Sequence, residues 1–264
     1  MKWQPSKRLR SILRKLPPSD STGRRALVTG GGRGIGLAAA AALAEAGAQV
    51  TLAARTGREI EEAASAIRAR GGEAEALVLE VTDVEAARRA VAVAATPFQI
   101  LVNSAGMNRP AYLPDVKVED FDAIFALNAR AAFFIAQAVA LRLIKARLPG
   151  SIINISSQMG HVGAARRSVY CASKHAMDGF TKAMAIELAP HDIRVNSLGP
   201  TFIETPMTRP YFENKTFPGR SAAEDQAWSP RPTERSHRSD CLSRLRRLVA
   251  DDRRGTHSRW RLDC

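Results

Sequence analysis

The 264-residue sequence predicts an α/β fold, a doubly wound parallel sheet with helices on both faces. Three observations predict it. Short β-rich runs alternate with longer helical ones from Arg24 onward. The β-rich runs are apolar throughout, as strands covered on both faces must be. A glycine cluster stands at the first junction of strand and helix, where such folds turn tightly.

The elements follow in order. Residues 26–30 (ALVTG) form the first strand and residues 34–47 an alanine-rich helix. Strands at 49–54, 75–81 and 100–106 alternate with helices at 57–70, 84–95 and 121–147. A fifth strand at 151–156, a helix at 170–189 and a sixth strand at 193–200 complete the pattern. Ligands of such sheets lie beyond the carboxyl ends of the strands. After Phe217 the periodicity fails, and residues 218–264 are rich in Arg, Ser, Asp and Pro. The chain therefore divides into a basic extension at 1–23, a patterned body at 24–216 and an irregular arginine-rich tail at 217–264.

The net charge of +13 does not point to nucleic acid, because of where it sits. Residues 1–25 hold eight basic side chains against Asp20 alone, and residues 218–264 hold eleven arginines against seven acids. The body between them is nearly balanced, whereas a nucleic-acid binder carries its basic surface on the fold. No run of ~18 apolar residues is present, which argues against an integral membrane protein. Leu9, Ile12, Leu13 and Leu16 in the basic extension fall at helical spacing before Pro17-Pro18. That segment reads as a mobile terminus, a targeting segment or a membrane-surface helix. Cys171, Cys241 and Cys264 have neither zinc-site spacing nor the number for a disulfide framework, so a reducing cytoplasm fits.

The loop from Thr29 to Gly36 (TGGGRGIG) lets the backbone approach a pyrophosphate at a helix start, through Gly30, Arg33, Gly34, Ile35 and Gly36. The second strand ends in Arg55, where an acid would select NAD and a cation accommodates the 2′-phosphate of NADP. With Arg33 as a second cation, NADP(H) is favoured over NAD(H). Tyr170 and Lys174 stand four apart on one helical face. An ammonium there would lower the phenol's pKa from its usual ~10 and make it a proton donor or acceptor near neutrality. Ser157 lies thirteen residues before Tyr170, where a hydroxyl could hold a substrate carbonyl, and Ser156 competes for that position. Asn128 places an amide in an otherwise apolar helix and calls for a partner. Asn103-Ser104-Ala105-Gly106 ends the fourth strand at the expected cofactor edge.

This ordered set resembles the short-chain dehydrogenase/reductase family, over roughly residues 24–214. The resemblance implies a Rossmann-like fold and hydride transfer between nicotinamide and a carbonyl or secondary alcohol. It implies Tyr170 as general acid/base, and Lys174 lowering its pKa and binding the nicotinamide ribose. Ser157 would orient the substrate, and Asn128 would anchor a water in the proton relay. Glu80, Val81, Asn103, Ala105, Gly106, Pro200 and Thr205 would line the cofactor. Intact members form homodimers or homotetramers, an assembly placed in doubt here by the altered tail. Two departures stand out: Ser104 where the family has a second asparagine, and Glu80 where it has an aspartate.

The segment from Gly199 to Met207, followed by Arg209-Pro210, is similar to the substrate loop of gluconate and deoxygluconate dehydrogenases within the family. Members that reduce 3-oxoacyl groups on acyl carrier protein are the alternative, and a non-catalytic NADP-binding product of a disrupted gene is another. Arg166 and Arg167 would either attract an acidic substrate or remain solvated loop charges. The family's last helix and strand are not legible in the tail, and both are expected to be lost. Codons for residues 252–264, read one nucleotide late, permit TGxxLxVDGGWTA, the family's usual ending, and Trp260 forces one of those glycines. Codons for residues 241–248 permit VFLASDAS in the same register. A one-base frameshift near Phe217–Pro218 accounts for both.

Overall fold

The computed structural model describes residues 21–201 together with Leu262–Asp263. Thr205, the boundary at 216/217, most of the basic extension and nearly all of the proposed shifted frame lie outside the described residues. In chain order the strands are β1 (Arg25–Thr29), β2 (Gln49–Ala54), β3 (Glu73–Val78), β4 (Ile100–Asn103), β5 (Gly150–Ile155) and β6 (Ile193–Gly199). The helices are α1 (Gly34–Glu45), α2 (Gly57–Arg68), α3 (Val84–Val93), α4 (Val118–Phe125), α5 (Ala132–Ala146) and α6 (Ser168–Leu188). A π-helical turn, Ala126–Ala131, joins α4 to α5.

The strands pair in parallel in the order β3-β2-β1-β4-β5-β6, with a short β7 (Leu262–Asp263) beyond β6. This is the doubly wound, Rossmann-like α/β architecture expected, with its topological switch between β1 and β4. The expected loss of the last strand is not confirmed at this edge. Leu262 pairs with Leu198 and Asp263 with Gly199, so a strand is present but only two residues long. The helix expected to be lost falls outside the described residues.

Period-two alternation sends each strand's side chains to two separate cores. Ala26, Val28, Leu52, Ile100, Val102 and Ile153 pack beneath α1 and α2 with Leu43, Ile60 and Ile67. Leu27, Leu101, Ile152 and Val195 face the other way, against Val91 of α3, Ile135, Val139 and Leu143 of α5 and Met184 of α6. The edge strand β3 differs from its expected run at 75–81. It starts at Glu73, alternates rather than being apolar throughout, and ends at Val78. Leu79 and Val81 are buried in the loop that follows, so the apolar signal outlasts the ladder. The continuous helix Val118–Ala146 has the length and apolar composition of a membrane span, yet half of its most apolar window is buried within the protein. Ile135, Val139 and Leu143 supply much of that burial, which marks a core helix.

Candidate active site

The glycine loop and the end of β4 meet at the switch between β1 and β4. Gly30 has φ +66°, and a Cβ there would sit 2.9 Å from the N and Cα of Ala105. Only glycine therefore satisfies both the left-handed backbone and the close approach. A Cβ on Gly36 would run into the carbonyl oxygen of Gly30, which keeps the first turn of α1 seated under the loop. No side chain caps the start of α1 and no acid lies in its first turn. Among the described residues, its N–H groups thus have no side-chain acceptor competing for an anion. This cradle fits a dinucleotide pyrophosphate. Ile35 is half-buried behind it against the α1–α2 core.

The two predicted cations flank this crevice on the β2 side. Arg55, 70% exposed, lies 3.5 Å from Glu80. Arg33 lies 3.7 Å from Glu59. Glu80 is fixed locally, accepting from the Thr82 backbone N–H and hydroxyl at 3.1 and 2.8 Å.

At the end of β4 the polar groups are used internally. Asn103 Nδ2 donates to the Ala132 carbonyl at 3.1 Å and to Asn154 Oδ1 at 2.9 Å. Asn154 in turn donates to Thr181, which donates to the Met177 carbonyl. The Asn103 side chain thus points into the protein, which leaves its main chain for the crevice. Thr29 Oγ1 accepts from the N–H groups of Ser104 and Ala105 at 3.2 and 3.3 Å, and so pins this strand end to β1. Ser104, at the family's second asparagine position, has its hydroxyl 3.2 Å from where a Gly36 Cβ would be.

Asn128 is fully buried in the π turn. Its amide donates to the Met107 carbonyl and to Ser173 Oγ at 2.9 and 3.1 Å, and its Oδ1 accepts from the Met107 N–H at 2.9 Å. It clamps the segment after Gly106 to α6, so it has the partner that the sequence demanded.

On α6, Tyr170 is half-buried and Lys174 is 4% exposed. Lys174 Nζ lies 5.7 Å from the Tyr170 ring centroid and donates to the Ile155 carbonyl at 2.7 Å. Burial pushes the ammonium down to about 8, and the Asp178 carboxylate opposes that shift. Ser157 is half-buried, with its hydroxyl accepting from the Met159 N–H at 3.2 Å. Ser156 is 4% exposed and lies toward Gly160 and Asp178, which leaves Ser157 as the hydroxyl on the open side. Gln158 N–H donates to the Pro200 carbonyl, which ties this turn to the end of β6. A small cavity beside Tyr170 is lined by Arg109, Ile124, Arg166 and Arg167. Arg109 is paired with Asp120 at 2.6 Å, and Arg166 lies over the Tyr112 ring with a left-handed backbone.

The structure thus ties Asn128 to α6 through Ser173, and ties Lys174, on the same helix as Tyr170, to the Ile155 carbonyl two residues before Ser157. Sequence reasoning missed Thr29, Asn154, Ser173 and Asp178. Each is a polar residue inside an otherwise apolar strand or helix face, the same signal that singled out Asn128.

The short chain dehydrogenase family model matches residues 24–216. The chain is 42% identical over 207 residues to the D-erythrulose reductase of Gallus gallus, covering 78% of this chain and 81% of that one. It is 37% identical over 199 residues to the gluconate 5-dehydrogenase of Gluconobacter oxydans, covering 74% and 77%. A solved gluconate 5-dehydrogenase from Burkholderia cenocepacia, in complex with NADP and tartrate, superposes with a TM-score of 0.78 at 31% identity. That match covers 88% of this chain and 90% of the other. The glycine cradle, the Tyr170–Lys174 face and these matches agree: the chain belongs to the short-chain dehydrogenases, nicotinamide-dependent oxidoreductases acting on CH–OH groups.

Proposed function

We propose that the chain interconverts a carbonyl and a secondary alcohol on a small sugar acid, with NADP(H) preferred. The observation that carries this reading is Lys174, buried, held by the Ile155 carbonyl and one helical turn from Tyr170. A charged amine there stabilises the phenolate, so Tyr170 gives its proton to the carbonyl oxygen in reduction and takes it back in oxidation. Ser157 holds that oxygen toward the phenol. The Asn128 side chain is already committed to Met107 and Ser173, so any relay water at this point meets its main chain.

Gly30, Gly34, Ile35 and Gly36 would hold the pyrophosphate, and Arg33 and Arg55 the 2′-phosphate. Glu80, Val81 and the main chain of Asn103, Ala105 and Gly106 would line the adenosine and ribose. Pro200 and Thr205 would close over the nicotinamide, with Tyr170 and Lys174 on its ribose. When bound, the cofactor supplies or accepts the hydride.

The solved relative with NADP and tartrate supports a phosphate-bearing cofactor and an acidic polyol. Arg109, Arg166 and Arg167 beside Tyr170 would meet the acid. The test is a panel of ketoses, keto-aldonates and acetoacetyl thioesters, with NADPH and NADH, on this chain and on its frame-restored version. Keto-aldonate turnover with NADPH at least tenfold more efficient than with NADH is expected. Preferential thioester turnover would assign the 3-oxoacyl reductase role instead. NADPH binding with no turnover until the frame is restored would mark a disrupted gene product.

A further inference from the structure

Asp178 stands at i+8 from Tyr170 and i+4 from Lys174, so the three share one face of α6. It is 4% exposed, and neither carboxylate oxygen has a hydrogen-bond partner among the described residues. A carboxylate buried in this way is costly unless groups of opposite charge or hydrogen-bond donors lie close to it. Among the described residues, the titratable groups facing it are Lys174 from its own helix and His161, whose Nε2 lies 3.5 Å from Oδ2. Gly160 lies directly against it: a Cβ at Gly160 would collide with Asp178 Oδ2 and come within 3.0 Å of Ser156 Oγ.

The same turn holds Ser157. The Ser157 hydroxyl accepts from the Met159 N–H, and its carbonyl accepts from the Gly160 N–H at 2.9 Å. Displacing Gly160 therefore displaces Ser157. We propose that Asp178 is a positioning residue, the buried seat on which the Gln158–Gly160 turn and its His161 neighbour hold Ser157 in register with Tyr170 and Lys174. This rests on the oxidoreductase reading above.

Four variants of the full chain test it: Asp178→Asn, Gly160→Ala, Asp178→Ala, and Gly160→Ala combined with Asp178→Ala. Asp178→Asn and Gly160→Ala should each lower kcat at least tenfold, with NADPH binding by fluorescence within twofold of the parent. The combined variant should be no worse than Asp178→Ala alone, because both changes strike one contact. Asp178→Asn should also move the alkaline limb of reduction to lower pH, since Lys174 loses the carboxylate that favours its charged form. Unchanged kcat, multiplicative losses or an unmoved limb would overturn the proposal.

Hydrogen exchange at the amides of Met159, Gly160 and His161 reads the seat without any substrate. Asp178→Asn should accelerate it at least tenfold, and unchanged exchange would overturn the assignment. A parent chain that turns over no carbonyl removes the functional reading while leaving this readout intact.

Discussion

At Lys174 Nζ two demands oppose each other: burial favours the neutral amine, and Asp178 favours the ammonium. The balance falls at about 8, below the usual lysine range. Reduction should fall as pH rises through about 8, because the phenol then loses the cation that lowers its pKa, and a pH–rate profile will show the limb. Stability has the opposite slope. The folded pKa is depressed below that of the unfolded chain, so between about 8 and the usual lysine range the unfolded chain holds more protons and stability rises with pH. Urea melts across that window should show the rise, and Lys174→Met should abolish it. Tyr170→Phe should cost about 10²–10⁴ in kcat with NADPH binding retained, since only proton transfer is removed.

The elements place these groups through contacts that no single segment encodes. Asn128 works because its helix widens into a π turn and aims the amide at Met107 and Ser173. Asn128→Leu orphans both Met107 backbone groups and should cost about 2–4 kcal/mol in thermal or urea melts. Gly36→Ala drives a methyl group into the Gly30 carbonyl and should weaken NADPH binding at least tenfold by fluorescence titration. Much of this was legible in advance. The alternation of strands and helices and the Tyr170–Lys174 face follow from periods of two and 3.6, and the loop at Gly30–Gly36 from its glycines. The π turn was not legible, because one extra residue in a helical turn leaves the apolar pattern almost unchanged. Nor was the inward turn of Asn103, which depends on Asn154 being 51 residues away and one strand over. The end of β3 was misplaced because burial of Leu79 and Val81 in a loop carries the same signal as burial in a strand.

For the molecule as a whole, the sheet's far edge is the point of weakness. A two-residue β7 leaves most of β6's seven-residue length without a ladder on that side among the described residues. Restoring the alternative reading frame after Phe217 should lengthen this strand, raise the melting temperature by several degrees and reduce aggregation, as followed by calorimetry and light scattering. Genomic sequencing that finds the frame intact would remove that expectation. The ion pairs at the crevice rim have a consequence for ionic strength. Arg33 and Arg55 are each already matched with a glutamate, Glu59 and Glu80. If these two arginines hold the 2′-phosphate as proposed, its binding would exchange one anion for another instead of neutralising bare cations. Added potassium chloride screens the gain and the loss together, so discrimination between the two dinucleotides should decay more gently with salt than two unopposed guanidinium groups would allow.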